Sequence, residues 1–109
     1  MNSCRLEDMV NGWFVGAFEP TAHHSHACEV AVKNYSAGDA ESAHFHKVAM
    51  EITLVLSGTV RMCGREFSAG DIVVLQPGEI TSFLALTDAI NVVVKVPGAL
   101  NDKYLVDPT

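Results

Sequence analysis

The chain has 109 residues, of which 49% are hydrophobic and 18% are charged, and its formal net charge is −6. This length allows one domain with a modest core, and the composition is typical of a globular protein rather than a disordered one. The seven basic residues are scattered along the chain. That distribution argues against nucleic acid and anionic membranes as partners, since both select clustered lysine and arginine.

The cysteines and the N-terminus bear on the cellular location. Cys4, Cys28 and Cys63 form an odd set without CxxC spacing, which is atypical of a disulfide framework or a zinc finger and favours a reducing environment. The first residues lack the apolar stretch of a signal peptide, and no segment approaches the roughly 18 apolar residues of a membrane span. We therefore expect a cytoplasmic location.

Short apolar or alternating runs, separated by turn residues, predict an all-β chain. Residues 6–11 are the only candidate for a brief helix. In the second predicted strand, Val30 and Val32 alternate with Glu29 and Lys33, which indicates a half-buried strand. The predicted strands are 13–18, 28–35, 43–47, 51–56, 59–62, 66–68, 72–75, 81–86 and 89–96.

Eight or nine short strands, with turns every 6 to 12 residues, are typical of a β-sandwich or barrel. Neither a linker nor an internal repeat is visible. We expect one domain over residues 1–109, with a barrel core at about 30–96, an N-terminal β segment at 12–19 and a short polar tail at 101–109.

Two histidines and a glutamate indicate a metal chemistry. His44 and His46 lie two residues apart on a predicted strand, so their side chains point to the same face. Glu51 follows where the next apolar run begins. Two imidazoles and one carboxylate are the ligand set of a 2-His-1-carboxylate site. Because such groups are costly to bury together unless a cation joins them, we expect one divalent metal, with Fe, Mn, Ni, Cu and Zn all open. The alternative is that the three side chains only hydrogen-bond inside a cavity.

The spacing around these residues resembles the first conserved motif of the cupin superfamily, G-x5-H-x-H-x4-E-x6-G. Its five defining positions are matched by Gly38, His44, His46, Glu51 and Gly58. The resemblance covers about residues 30 to 96. It implies a double-stranded β-helix, or jelly-roll barrel, with the three ligands inside the barrel mouth and two copies forming a homodimer.

The second cupin motif, G-x5-P-x-G-x2-H-x3-N, is matched only in part. Gly70 and Gly78 fit, whereas its proline, histidine and asparagine positions hold Gln76, Thr81 and Ala85. The family usually supplies a fourth metal ligand at the position of Thr81, and a threonine hydroxyl is a poor ligand for a transition metal. The three remaining ligands would leave open positions for water or a bidentate substrate, as in facial-triad oxygenases.

Other polar residues are candidates for the substrate cavity. Glu79 lies two residues before Thr81 and is a replacement ligand if the strand begins there, although a glutamate after Pro-Gly is more often a solvated turn residue. Tyr35, Arg61 and Lys33 lie on predicted strands. For these three we favour the interpretation that Lys33 and Arg61 face solvent and that Tyr35 caps its strand. We interpret His23, His24 and His26 as a solvated loop.

The resemblance implies a small-molecule-binding cupin with a mononuclear metal site, of the kind that acts as a metal-dependent oxygenase or isomerase on a sugar, a keto acid or an enediol. Two alternatives stay open. One is a metal-free sugar-type isomerase or epimerase, for which the three arginines of the chain offer few anion-holding groups. The other is a non-catalytic ligand-binding or sensor cupin, favoured by the missing fourth ligand. Fold alone does not choose between these functions.

Overall fold

The computed structural model describes residues 1–106, which contain ten β-strands and a single turn of 3-10 helix at Leu6–Asp8. The strands are β1 Trp13–Val15, β2 Glu29–Tyr35, β3 Ala40–His46, β4 Met50–Ser57, β5 Thr59–Met62, β6 Arg65–Ser68, β7 Ile72–Leu75, β8 Thr81–Ala85, β9 Ala89–Val96 and β10 Lys103–Leu105.

The strands form two antiparallel five-stranded sheets. The first has the order β1-β2-β9-β4-β7 and the second has the order β10-β3-β8-β5-β6. Neighbours within a sheet are mostly distant in sequence, because the chain crosses repeatedly from one sheet to the other. This arrangement confirms the expected all-β jelly roll.

The interior is apolar at one end of the barrel and polar at the other. Buried hydrophobic side chains form one cluster from Val55, Val60, Met62, Val73, Leu75, Phe83, Ala85 and Ala89. The inward positions at the opposite strand ends are polar: Glu29 opens β2, Glu51 lies near the start of β4 and Thr81 opens β8. The apolar cluster therefore stabilises the fold at one end of the barrel, and the polar side chains that could bind a metal or substrate lie at the other end.

Strand β2 corrects the expectation for its two faces. Glu29 and Ala31 are buried, and Lys33 lies on their side of the strand, so the charged residues face the interior and Val30 and Val32 face outward. The half-buried character of the strand is confirmed, whereas the expectation that Lys33 faces solvent is wrong, because alternation shows which residues share a face but not which face is covered.

The outward valines of β2 are part of a continuous apolar surface. Cross-strand pairing aligns them with outward residues of β9, β4 and β7 in two rows. We call this surface the outer apolar face. Its rows are Val30–Val94–Ile52–Val74 and Val32–Val92–Leu54–Ile72.

The predicted β5, β7 and β9 agree with the structure residue for residue, and the other predicted strands differ by up to three residues at their ends. The tail holds the one strand that was missed, β10, which pairs with β3. Residues 107–109 of the predicted tail lie outside the described residues.

The motif residue Gly58 has φ +83, and a Cβ there would collide with the backbone carbonyl of Asp88, so the turn after β4 requires glycine.

Cys4, Cys28 and Cys63 are free thiols. Within residues 1–106, none of the helical structure is long and apolar enough to cross a membrane.

Candidate metal centre

The three predicted ligands come from both sheets and meet at the polar end of the barrel. His44 and His46 end β3 in the second sheet, whereas Glu51 lies near the start of β4 in the first sheet. Both histidines are buried, with 4% and 5% of their surface exposed. The turn of residues 47–49 joins the two strands, so its conformation sets how the histidines face the glutamate.

Asp102 holds this turn from the C-terminal segment. Its carboxylate accepts hydrogen bonds from the backbone N–H groups of Lys47, Val48 and Ala49, at 2.9–3.2 Å. Burial alone would raise the pKa of Asp102, but these three hydrogen bonds outweigh it and hold the pKa below its ordinary value. The backbone oxygen of Asp102 also lies 2.8 Å from His46 Nδ1.

Hydrogen bonds to backbone carbonyls determine the tautomer of both histidines. His44 Nδ1 lies 2.8 Å from the carbonyl oxygen of Ser42, and His46 Nδ1 contacts that of Asp102. A carbonyl only accepts, so each Nδ1 carries the proton, and each neutral ring then has its lone pair on Nε2. Metal-binding histidines typically have this outer hydrogen bond.

His46 Nε2 is a buried atom without a hydrogen-bond partner within residues 1–106. It lies 3.9 Å from Glu51 Oε1, and the glutamate side chain is only 13% exposed. A neutral Nε2 and a carboxylate oxygen both accept hydrogen bonds, so their approach needs a proton or a cation between them. Two ligands of one metal ion, each at about 2.1 Å, lie about 3.0–3.4 Å apart. The observed separation is about 0.5–1 Å wider.

The His44 ring lies nearby, with its centroid 5.7 Å from that of His46. In the described part of the chain, no three His, Cys, Asp or Glu side chains are close enough to hold a metal ion as they stand. The donor types, the tautomers and the orphaned Nε2 nevertheless suit a divalent cation. A bound metal would draw the three side chains inward.

A cavity of about 160 Å³ opens over these residues. Its lining includes all three predicted ligands, together with Tyr35 and Glu41. Glu41 was missed by the sequence analysis, because strict alternation places it on the face opposite His44. A register shift between Glu41 and His44 brings both side chains inward, as β-bulges do.

Tyr35 lies on the interior side of β2, with its ring centroid 4.3 Å from that of Phe83. It lines the cavity rather than only capping its strand. Burial, followed by the negative charges of Glu41, Glu51 and Asp39, raises the pKa of its hydroxyl above the ordinary value. Tyr35 is therefore protonated at neutral pH, and its hydroxyl is able to donate a hydrogen bond.

Lys33 also faces the cavity, which corrects the expectation that it is solvated on the outer face. Two further lysines, Lys95 and Lys103, line the same cavity and were not singled out from the sequence. Their strand register was the missing information: Lys95 is the cross-strand partner of Glu51, and Lys103 is that of His46.

The other candidate residues divide into two groups. Thr81 is buried opposite His44 and lines a second, smaller cavity of about 30 Å³ beneath it. The structure does not bring Glu79 or Arg61 into either cavity: the exposed Glu79 accepts a hydrogen bond from Gln76 N–H, and the exposed Arg61 pairs with Glu66 at 3.2 Å. His23, His24 and His26 are exposed, remote from the lining of both cavities.

Comparison with solved structures identifies the same fold elsewhere. A protein with a double-stranded β-helix domain from Klebsiella pneumoniae superposes with a TM-score of 0.67 and 24% identity, over 76% of this chain and 77% of that one. An RmlC-like cupin from Shewanella frigidimarina gives a TM-score of 0.62 at 21% identity, over 71% of each chain.

A larger protein, oxalate decarboxylase from Bacillus subtilis, gives a TM-score of 0.64 at 22% identity, over 75% of this chain and 24% of that one. No protein-family model matches the chain, and a search of the curated proteins finds no match. The two facing sheets and these neighbours agree with the motif of Gly38, His44, His46, Glu51 and Gly58. The chain therefore has the double-stranded β-helix fold of the cupin superfamily.

Proposed function

We propose that the protein binds one divalent transition metal through His44, His46 and Glu51, and uses it to bind a small molecule in the cavity above. The observation that supports this most strongly is His46 Nε2, which is buried, has no hydrogen-bond partner among residues 1–106 and lies 3.9 Å from the Glu51 carboxylate. A metal ion would satisfy both groups at once. It would also lower the cost of burying the carboxylate.

Thr81 leaves room for a ligand at the metal. It is a buried neutral residue beside His44, and its hydroxyl donates to the backbone oxygen of Ser82 at 2.9 Å. With three protein ligands, an octahedral ion keeps positions for exogenous oxygen donors. When bound, the metal would supply Lewis acidity toward a chelating substrate.

The chain's own residues would then orient that molecule. The protonated Tyr35 would donate a hydrogen bond to it, and Glu41, which lines the same cavity, would accept one. Trp13 lines the cavity as well. This arrangement suits an oxygen-rich small molecule better than an apolar one.

Mn(II) is the first metal to test. The neighbour from Bacillus subtilis is described as having Mn(II) centres, and a site of two imidazoles and one carboxylate accepts Mn(II), Fe(II) or Zn(II). Titration of metal-free protein, followed by electron paramagnetic resonance of unbound Mn(II), measures stoichiometry and affinity together.

We expect one Mn(II) per chain in the unmodified protein. Glu51→Gln should weaken binding by at least about tenfold, since even outer-sphere changes cost 10–100-fold. Glu66→Gln is the matched control, because Glu66 is exposed and pairs with Arg61. Binding that is equally strong in Glu51→Gln and Glu66→Gln would reject the site. So would failure of the unmodified protein to bind either Mn(II) or Zn(II).

We also propose that two copies associate through the outer apolar face. Its eight residues are aliphatic and uncharged, and Ile72 and Val74 are 63% and 47% exposed. A two-fold interface places each patch against itself, so charges near its axis would repel their own copies. A face without charges avoids that repulsion, and a large apolar patch on a monomer is uncommon.

The free thiols Cys4 and Cys63 are exposed, which supports a cytoplasmic location.

A further inference from the structure

Three of the four lysines of this acidic chain converge on one cavity. Lys33 comes from β2, Lys95 from the end of β9 and Lys103 from β10, and all three line the space above the candidate metal ligands. Two of them are cross-strand neighbours of ligands, Lys95 of Glu51 and Lys103 of His46. The convergence therefore surrounds the proposed metal from both sheets.

None of these ammonium groups is neutralised by a close carboxylate. Within residues 1–106, the ion pairs shorter than 4 Å are Arg5–Glu7, His46–Glu51 and Arg61–Glu66, so no lysine takes part in one. The cavity also holds Glu41 and Glu51. Among the residues that line the cavity, the lysines exceed the carboxylates by one charge, in a chain whose net charge is −6. Glu29, the cross-strand partner of Lys95, lies outside this lining and accepts a hydrogen bond from Ala99 N–H. A divalent metal would add two further positive charges to the cavity.

Gathering like charges in a partly buried space is unfavourable without a counter-ion. The cost is visible at Lys33, whose pKa is lowered by burial and by the charges of Lys95 and Lys103, although Glu41 opposes the change. Trp13 helps to hold the arrangement, since the Nζ atoms of Lys33 and Lys95 each lie 5.0 Å from its ring centroid.

We propose that Lys33, Lys95 and Lys103 form a subsite for the anionic group of the small molecule that binds at the metal. The inference rests on the proposed metal site, because both share one cavity. The subsite selects a compact organic anion, a carboxylate or a phosphate. The cavity of about 160 Å³ is smaller than the roughly 300–1,000 Å³ of pockets for drug-sized ligands. One end of the anion contacts the lysines, while an oxygen at the other end reaches the metal.

The protein has a built-in reporter, because Trp13 is its only tryptophan and two of the lysines lie over its ring. An anion that draws these lysines away changes the environment of the indole. The experiment is a titration of metal-free and Mn(II)-loaded protein with malonate, and separately with inorganic phosphate, at constant ionic strength. Tryptophan fluorescence and calorimetry are recorded in parallel, so detection does not depend on the indole alone.

We expect saturable binding of at least one anion, tighter in the Mn(II)-loaded protein. Lys95→Met and Lys103→Met should each weaken it by about tenfold, the usual effect of losing a hydrogen bond to a charged group. Lys47→Met is the control, because Lys47 is exposed and lies over the Tyr104 ring, outside the cavity. A preference for malonate or for phosphate identifies the anionic group.

The subsite is rejected if neither anion binds, or if Lys95→Met and Lys103→Met bind as tightly as Lys47→Met. Mn(II) affinity is measured on the same samples. Anion binding that persists without any Mn(II) binding would reject the metal site and support the lysine subsite alone. Mn(II) binding without anion binding would reject the lysine subsite and support the metal site alone.

Discussion

Asp102 is expected to stabilise the turn between the ligand strands more than any other side chain near the site. It is 5% exposed and accepts hydrogen bonds from three successive backbone N–H groups, those of Lys47, Val48 and Ala49. In Asp102→Ala these donors lose their acceptor. Water can replace it at the exposed Lys47 and Val48, but not at Ala49, which is 1% exposed.

The expected loss follows from these contacts. Hydrogen bonds to a charged group contribute about 1.5–3 kcal/mol each, and three in one turn are not additive, so we expect Asp102→Ala to lower the free energy of unfolding by about 3 kcal/mol. At about 4–8 °C per kcal/mol, the Tm falls by roughly 12–24 °C. Asp102→Asn keeps one acceptor oxygen and should lose about half as much.

Urea denaturation at neutral pH measures this difference. Asp71→Ala is the matched control, because Asp71 is exposed and accepts from a single backbone donor, Ser68 N–H, in the turn before β7. Because Asp71 is exposed, water can replace its carboxylate, and we expect this control to lose only about 0.5–1.5 kcal/mol. If Asp102→Ala were no less stable than Asp71→Ala, the account of the turn would be refuted.

The same contacts predict a pH dependence. Because the pKa of folded Asp102 lies below its ordinary value, its contribution is complete above the unfolded pKa of about 3.9 and is lost as the pH falls through the folded pKa. The difference in stability between the unmodified protein and Asp102→Asn should therefore shrink in acid. A difference that stays constant from pH 7 to about pH 3 would contradict the charge-assisted hydrogen bonds.

Three further outcomes are expected. Thr81→His should tighten Mn(II) binding by about tenfold or more, because it adds an imidazole beside His44; titration shows this, and unchanged or weaker affinity would mean that position 81 does not reach the metal. Replacing all three histidines of the exposed segment His23 to His26 with alanine should leave Mn(II) stoichiometry at the cavity unchanged, and a loss would move the site to that loop. Val74→Lys should shift the protein from dimer to monomer in sedimentation, whereas Ser82→Lys, on the other sheet, should not; a dimer that survives Val74→Lys would exclude the outer apolar face.

The number and order of most strands were predictable, because turns that contain Gly or Pro separate them in the sequence. The boundaries of β7 and β9 follow directly from Gly70-Asp71, Pro77-Gly78 and Pro97-Gly98. β10 was not predictable in the same way. Its three residues are too few to show an alternating pattern, and pairing with β3 determines their conformation.

His44, His46 and Glu51 were predictable from the local spacing of the first motif, since all three lie within eight residues along the chain. The rest of the cavity depends on tertiary pairing. Lys33 is far in sequence from Lys95 and Lys103, and the three meet through sheet register. Glu41 faces inward because of a bulge, which the sequence does not mark with a glycine.

The measurement that tests the central claim most directly is an anomalous difference map, recorded at the manganese absorption edge from crystals of the Mn(II)-loaded protein. The account predicts one strong peak per chain within about 2.0–2.4 Å of His44 Nε2, His46 Nε2 and the Glu51 carboxylate. A cavity without a peak at full Mn(II) loading, or a peak confined to the His23–His26 segment, would contradict it.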